Sequence, residues 1–242
     1  MHFLYAVSHQ INKKLLSVLN AKGDVVLLTD NPYLPGPEAA HADMQIADVS
    51  DELVFIKKGI CDTFKEALGR TSKRAVESKQ TLSGIQKYPD CCTHNILICG
   101  NYYFHRLDIT DPDLKANLAS KFFIPVNVRQ GYSGCSSCYI DSLDLIITSD
   151  SSVAKASSGH SFNCLVIDKE ITKNIILPGY DHGFIGGCMG YCRQTNELFV
   201  NGALSSTVPD LYALLRSAGI TVYEVENEPL CDIGGIKCIV YK

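Results

Sequence analysis

Eleven cysteines and seven histidines are the side chains of this 242-residue sequence best suited to act as nucleophiles, proton carriers or metal ligands. A thiolate attacks electrophilic carbon or binds a soft metal, and its reactivity depends on what lowers its pKa. Cys135-x-x-Cys138 and Cys188-x-x-x-Cys192 pair their sulfurs at spacings that invite zinc. Both pairs, however, stand where strand-like segments begin, whereas zinc pairs usually sit on tight knuckles. A redox reading of Cys135-x-x-Cys138 is weaker still, because Tyr139-Ile140-Asp141 continues as a strand. Cys238 follows Gly234-Gly235-Ile236-Lys237 in an apolar strand, where a cysteine is either core filling or a nucleophile. His182 lies in the glycine-rich stretch 179–190. That stretch has no Gly-x-Gly-x-x-Gly after a strand and no Gly-Lys-Ser/Thr, so it lacks the signature of a phosphate cradle.

The rest of the composition narrows the setting. Hydrophobic residues make up 46% and charged residues 20%, with no low-complexity run, which describes a globular protein. The net charge is −4, and the basic residues are scattered apart from Lys13-Lys14 and Lys57-Lys58, so no nucleic-acid surface is expected. The apolar residues 3–7 are too few for a secretory core, and no apolar run approaches a membrane span. The expectation is a cytoplasmic protein whose cysteines are mostly free thiols used as small apolar residues. A small-molecule substrate or ligand is the expected partner. No cofactor is implied.

The elements that must position these side chains follow a pattern. Residues 3–7 read as a strand, 11–21 as a helix stopped near Gly23, and 24–29 as a buried strand. After the Pro/Gly-rich loop 31–38, strands are expected at 43–49 and 53–57, then a helix over 61–75. Strands at 95–99 and 102–107, a helix over 111–119 and a strand at 122–128 repeat the order. It recurs from Cys135, with an additional strand at 174–177, and again from Gly187 through a helix at 209–218 to a strand at 220–225. A fifth start is Gly235, ahead of the strand Ile236–Tyr241. The starts His41, His94, Cys135, Gly187 and Gly235 lie 41 to 53 residues apart. Repeats of that period indicate a stacked or circular array. The last unit lacks a second strand, a helix and a third strand, which residues 3–29 can supply, so closure by pairing of the terminal strands is expected. Residues 1–242 are read as a single α/β domain.

Five strand-strand-helix-strand units in a ring resemble the pentein fold of the guanidino-group modifying superfamily, an α/β propeller. Within it, His41-Ala42-Asp43-Met44-Gln45, Arg129-Gln130-Gly131-Tyr132 and 182–187 resemble a branch with no assigned activity. A more distant likeness is to agmatine and arginine deiminases and to dimethylarginine dimethylaminohydrolase. Gly234-Gly235-Ile236-Lys237-Cys238 resembles the segment that carries the nucleophile in agmatine deiminases, which implies Cys238 as the nucleophile. His182 would then be the general acid and base, and Asp43 the acid that binds guanidinium. Asp181, Asp232, Asn95 and Gln130 would complete the substrate-binding set. Two departures stand against the pattern: Phe184 occupies a position where the deiminases carry an acid, and Asp43 is preceded by Ala42 rather than by a second acid.

The reading implied by the resemblance is a cysteine-dependent hydrolase or deiminase-like enzyme that acts on a small guanidine or amidine through a covalent cysteine intermediate. A non-catalytic member of the same fold, binding a ligand or a protein, is the alternative. A zinc protein built on the paired cysteines is the third.

Overall fold

The most apolar strand of each unit decides how the unit is built. Leu53–Ile56 and Leu145–Thr148 are buried at every residue, and a strand that is apolar on both faces must be covered on both. A computed structural model of the chain, which describes residues 1–241, accordingly puts each such strand at the centre of a small sheet. In chain order the strands are β1 (His2–Ser8), β2 (Asp24–Leu28), β3 (Ile46–Ser50), β4 (Leu53–Ile56), β5 (Arg74–Glu77), β6 (Leu97–Cys99), β7 (Tyr102–His105), β8 (Ile124–Asn127), β9 (Ser137–Ile140), β10 (Leu145–Thr148), β11 (Asn163–Val166), β12 (Met189–Cys192), β13 (Glu197–Val200), β14 (Thr221–Tyr223) and β15 (Ile236–Tyr241).

They form five three-stranded sheets, ordered β15-β1-β2, β3-β4-β5, β6-β7-β8, β9-β10-β11 and β12-β13-β14. In each, the first and middle strands are antiparallel. A helix then returns the chain to a third, parallel strand. Those helices are Lys13–Asn20, Asp62–Gly69, Pro112–Ser120, Ser151–Ser158 and Pro209–Ser217. Their starts are written in the sequence. Asp111 accepts from the backbone N–H groups of Asp113 and Leu114 with Pro112 in the first turn, and Asp150 accepts from those of Ser152 and Val153. In the first sheet β15 pairs with β1 from His2↔Tyr241 to Val7↔Ile236, so residues from opposite ends of the sequence share one ladder.

Neighbouring sheets share apolar clusters. Leu4 and Ile239 pack with Ile46 and Val54, Val49 and Phe55 with Ile96 and Tyr103, and Phe104 with Ile146. Ile140 and Ile147 pack with Met189 and Leu198, and Phe199 with Tyr5 and Ile236. Each sheet therefore packs against two others, the first against both the second and the fifth. At one such contact β12 and β15 come so close that only glycine fits at Gly190, where a Cβ would run into the backbone of Ile236.

Three local expectations are corrected. Asp43 is not on a strand: Ala42–Gln45 is a helical turn, and β3 begins only at Ile46. Equivalent short turns, Ser133–Ser136 and Gly186–Cys188, precede β9 and β12. The helix expected through residue 75 ends at Gly69, where the Thr71 hydroxyl donates to the Leu68 carbonyl, and Val76 pairs with Phe55 in β5 instead. Residues 174–177 form no strand, only a single bridge between Ile176 and Cys231. No helix among the described residues is long and apolar enough to cross a membrane.

Candidate functional site

Two cavities lie along the inner strands. The larger, of about 450 Å3, is lined by residues of all five first strands, β3, β6, β9, β12 and β15, and has Cys238, Lys237, Asp48 and Lys73 on its wall. Lys73 Nζ donates to Asp48 Oδ1 at 2.7 Å, so these two charges satisfy each other. The second cavity, of about 250 Å3, is built from the segments that precede the first strands: the loop before β3, the turn before β9, the glycine-rich stretch before β12 and the approach to β15.

Its polar lining is unusual in what it leaves unpaired. Glu38 ends the short turn Gly36–Glu38 and is buried. Its Oε1 accepts from Tyr180 at 2.5 Å and Tyr132 at 3.0 Å, while its Oε2 has no partner. His41 is buried with neither ring nitrogen hydrogen-bonded, and its Nδ1 lies 3.9 Å from Asp232 Oδ1. Behind them Asp43, which lines the first cavity rather than the second, is buried with both carboxylate oxygens unpartnered, its own N–H donating to the Gly234 carbonyl at 3.0 Å. Buried polar groups normally find partners, and an orphaned one costs on the order of 1–3 kcal/mol. No lysine or arginine among the described residues forms an ion pair with Glu38, Asp43 or Asp232.

Ligating or reactive atoms of His41, Asp43 and Cys135 all lie within 4.8 Å of one another. Asn95 creates that position for Cys135. Its Oδ1 accepts from the Gly134 and Cys135 N–H groups at 2.7 and 3.0 Å, and its Nδ2 reaches the Cys135 sulfur at 3.1 Å. Burial shapes the protonation of the whole group. It lowers the His41 pKa, which keeps the imidazole neutral, and it raises the carboxyls of Glu38 and Asp43. It pushes Asp232 up to about 7 although Gly234 and Phe184 donate backbone N–H groups to it. The Cys135 thiol is raised well above its ordinary value, by burial first and then by the charges of Asp43 and Asp232.

The structure brings some of the expected site residues together and separates others. His182, Asp181 and Asp232 line the second cavity, His182 at its half-buried rim with Nδ1 donating to the Gly183 carbonyl. Cys238 faces the first cavity, opposite Tyr5 across the ladder, so it does not meet His182. Its thiol is raised by the neighbouring Cys192 thiol and by burial. Cys192 in turn is lowered to about 6, chiefly by Cys238. Asn95 and Gln130 spend their polar ends inside the protein. Gln130 donates to Asp150 and accepts from the Tyr132 N–H, which fixes the loop that aims Tyr132 at Glu38. The four cysteines of the two pairs do not converge: Cys138 lines the first cavity and Cys135 the second, and Cys188 and Cys192 belong to different apolar clusters.

Glu38 and Tyr180 emerge only from the fold, and His41 and Tyr132, which stand in stretches that carry the resemblance, gain a role only there. A chemical signal for His41 was His41-Ala42-Asp43, two capable residues two apart, which on a strand would have shared a face and here stand at the cap and in the first turn of Ala42–Gln45.

Residues 6–237 match a family of unknown function, DUF6873. The chain belongs to that family. No curated protein matches the DUF6873 chain in sequence. Its fold is similar to that of AgrE, in a crystal structure of the ternary complex of AgrE with ornithine and NAD+, with a TM-score of 0.56 at 11% identity. The match covers 99% of the DUF6873 chain and 40% of the AgrE chain, so the chain spans well under half the length of that protein. At this identity the likeness carries the fold alone, a distantly pentein-like one.

Proposed function

We propose that this protein is a closed five-unit propeller whose second cavity binds a small guanidine or amidine cation, and that Cys135 attacks it in a deiminase-like hydrolysis. The observation that carries this reading is the set of unpartnered acceptors on Glu38, His41 and Asp43 around one thiol. A planar cation with N–H donors on its edges answers several buried carboxylates at once. Tyr132, Tyr180 and Phe184 offer ring surfaces against its faces.

The chemistry balances through His41. The Cys135 thiol passes its proton to a neutral His41 nitrogen, and the thiolate adds to the central carbon, opening the C=N bond into a tetrahedral adduct. Collapse breaks the bond to one nitrogen, which takes the proton back from His41 and leaves as ammonia or an amine. Water then adds to the carbon of the resulting thiouronium (from a guanidine) or thioimidate (from an amidine), giving a proton to His41. The C–S bond breaks, His41 returns its proton to the thiolate, and the product gives its excess proton to solvent to become a urea or an amide. Burial raises the Cys135 thiol, which opposes its ionisation, so the step needs the substrate's own positive charge to favour the thiolate.

The test is ammonia or urea release from arginine, agmatine, methylated arginines and simple amidines. Turnover lost in Cys135→Ala and kept in Cys238→Ala supports the reading. Turnover lost in Cys238→Ala alone returns the nucleophile to β15, and no turnover on any of them leaves the non-catalytic ligand-binding alternative.

A further inference from the structure

We propose that His41, Asp43 and Cys135 bind a divalent transition-metal ion of the zinc class at the wall between the second cavity, which His41 and Cys135 line, and the first, which Asp43 lines, and that the ion excludes the cationic ligand from the second cavity. The inference uses the same three side chains as the hydrolase reading but does not depend on turnover.

Imidazole nitrogen, carboxylate oxygen and thiolate sulfur are the donors zinc takes, at bond lengths of about 2.0–2.3 Å. In a tetrahedral site those lengths put neighbouring ligand atoms roughly 3.3–3.8 Å apart. Here the three sit within 4.8 Å of one another, so a closing shift of about 1 Å completes the set. No hydrogen bond has to break for that shift at the His41 nitrogens or the Asp43 oxygens, although Gly234, packed on His41, limits the path the ring can take. A thiolate–imidazole–carboxylate set selects zinc or cobalt over magnesium or calcium, which prefer all-oxygen shells.

The neighbours fit the same assignment. Asp232 is anchored by backbone N–H groups of Gly234 and Phe184 and lies 3.9 Å from His41 Nδ1. It can receive the Nδ1 proton and leave Nε2 for the ion, the carboxylate–histidine arrangement that orients metal-binding imidazoles. Asn95 Nδ2 donates to the Cys135 sulfur at 3.1 Å, a bond that favours the thiolate once a metal is present. His41 and Cys135 line the second cavity, so a fourth ligand would be drawn from there. Binding releases the thiol proton. A cation held there occupies the charge complement that a guanidinium would otherwise satisfy.

The experiment is titration of the tag-free, metal-free full chain with Co2+, followed by displacement with Zn2+. One equivalent of Co2+ should develop a thiolate-to-cobalt charge-transfer band and tetrahedral d–d absorption, both bleached by Zn2+. The band should vanish in Cys135→Ser and persist in Cys238→Ser, while His41→Gln and Asp43→Asn each weaken binding at least tenfold, with folding of every variant checked by circular dichroism. Absence of the band, or a band that survives Cys135→Ser, overturns the proposal. If the band forms and no guanidine is hydrolysed, only the hydrolase reading falls. If the protein turns over and stoichiometric Zn2+ leaves the rate unchanged, the metal proposal falls and the hydrolase reading stands.

Discussion

Gly234 is packed directly onto His41: a Cβ at position 234 would fall inside the His41 side chain, against its Cβ and Cγ. The glycine also holds a left-handed φ of 75° and accepts from the Asp43 N–H through its carbonyl. One residue on the approach to β15 therefore sets the position of two site residues before β3.

Gly234→Ala tests that coupling. The left-handed backbone alone costs an L-residue about 1–2 kcal/mol. Gly100, also at positive φ but with open space where its Cβ would be, isolates this term. Gly100→Ala should lower stability by about 1 kcal/mol. Gly234→Ala should cost at least about twice that, because His41 must move, and it should weaken cation or Co2+ binding as well. Denaturant melts of both variants measure the difference, and equal losses would mean that His41 yields freely.

Removing residues 235–242 should unfold the protein. β15 supplies a full ladder to β1, and Ile236 and Ile239 are buried in two different inter-sheet clusters. Each buried backbone group left unpaired costs about 1–3 kcal/mol, against a net domain stability of about 5–15 kcal/mol. Cys238→Ser should fold. A truncated chain that keeps the wild-type melting transition would show that β15 is dispensable.

The strand ladders were legible because their signal is local. Runs such as Leu145–Thr148 are apolar on both faces, and capped helices such as Pro112–Ser120 announce their starts. β5 was not legible: Arg74–Glu77 is largely exposed and carries no apolar alternation, and its strand character comes from pairing with β4. The site was legible only in part for a related reason. Asp43 and Asp232 were among the expected residues, but the joining of Cys135 with His41 depends on the turns Ala42–Gln45 and Ser133–Ser136 and on the Asn95 clamp. Those contacts span dozens of residues and leave no periodicity. Resemblance at the glycine pair Gly234-Gly235 directed attention to Cys238, while the unpaired carboxylates collect around Cys135.

His105 gives a pH signature. It is buried at the end of β7, with Nε2 donating to the Gly131 carbonyl at 2.9 Å and Nδ1 accepting from the Thr110 hydroxyl at 2.8 Å. Burial lowers its pKa from 6.5 to about 4. The unfolded chain therefore binds the proton first as pH falls. The contribution is fully present above about pH 6.5, declines as pH drops toward 4, and amounts to on the order of 3 kcal/mol at most. Unfolding free energies measured from pH 7 to pH 4 should fall more steeply for wild type than for His105→Gln. Parallel curves would mean that His105 takes its proton in the folded state at an ordinary pH.

Glu38→Gln should separate binding from stability. The Gln carbonyl can still accept from Tyr132 and Tyr180, which now meet at Glu38 Oε1. The substitution removes a buried carboxylate that burial already disfavours and that has no partner on Oε2. Relief of that charge should raise stability at pH 7 by about 1 kcal/mol, because sites shaped for a ligand are strained without it. Affinity for a guanidinium should fall by ten- to a hundredfold at the same time, since a charge-assisted bond in a buried site becomes a neutral one. Calorimetric titration with guanidinium or benzamidine, paired with thermal melts, reads both quantities on one sample. A variant that is both more stable and a weaker binder marks Glu38 as a ligand-facing acid, whereas a less stable variant with unchanged binding would make it a structural anchor for the two tyrosines.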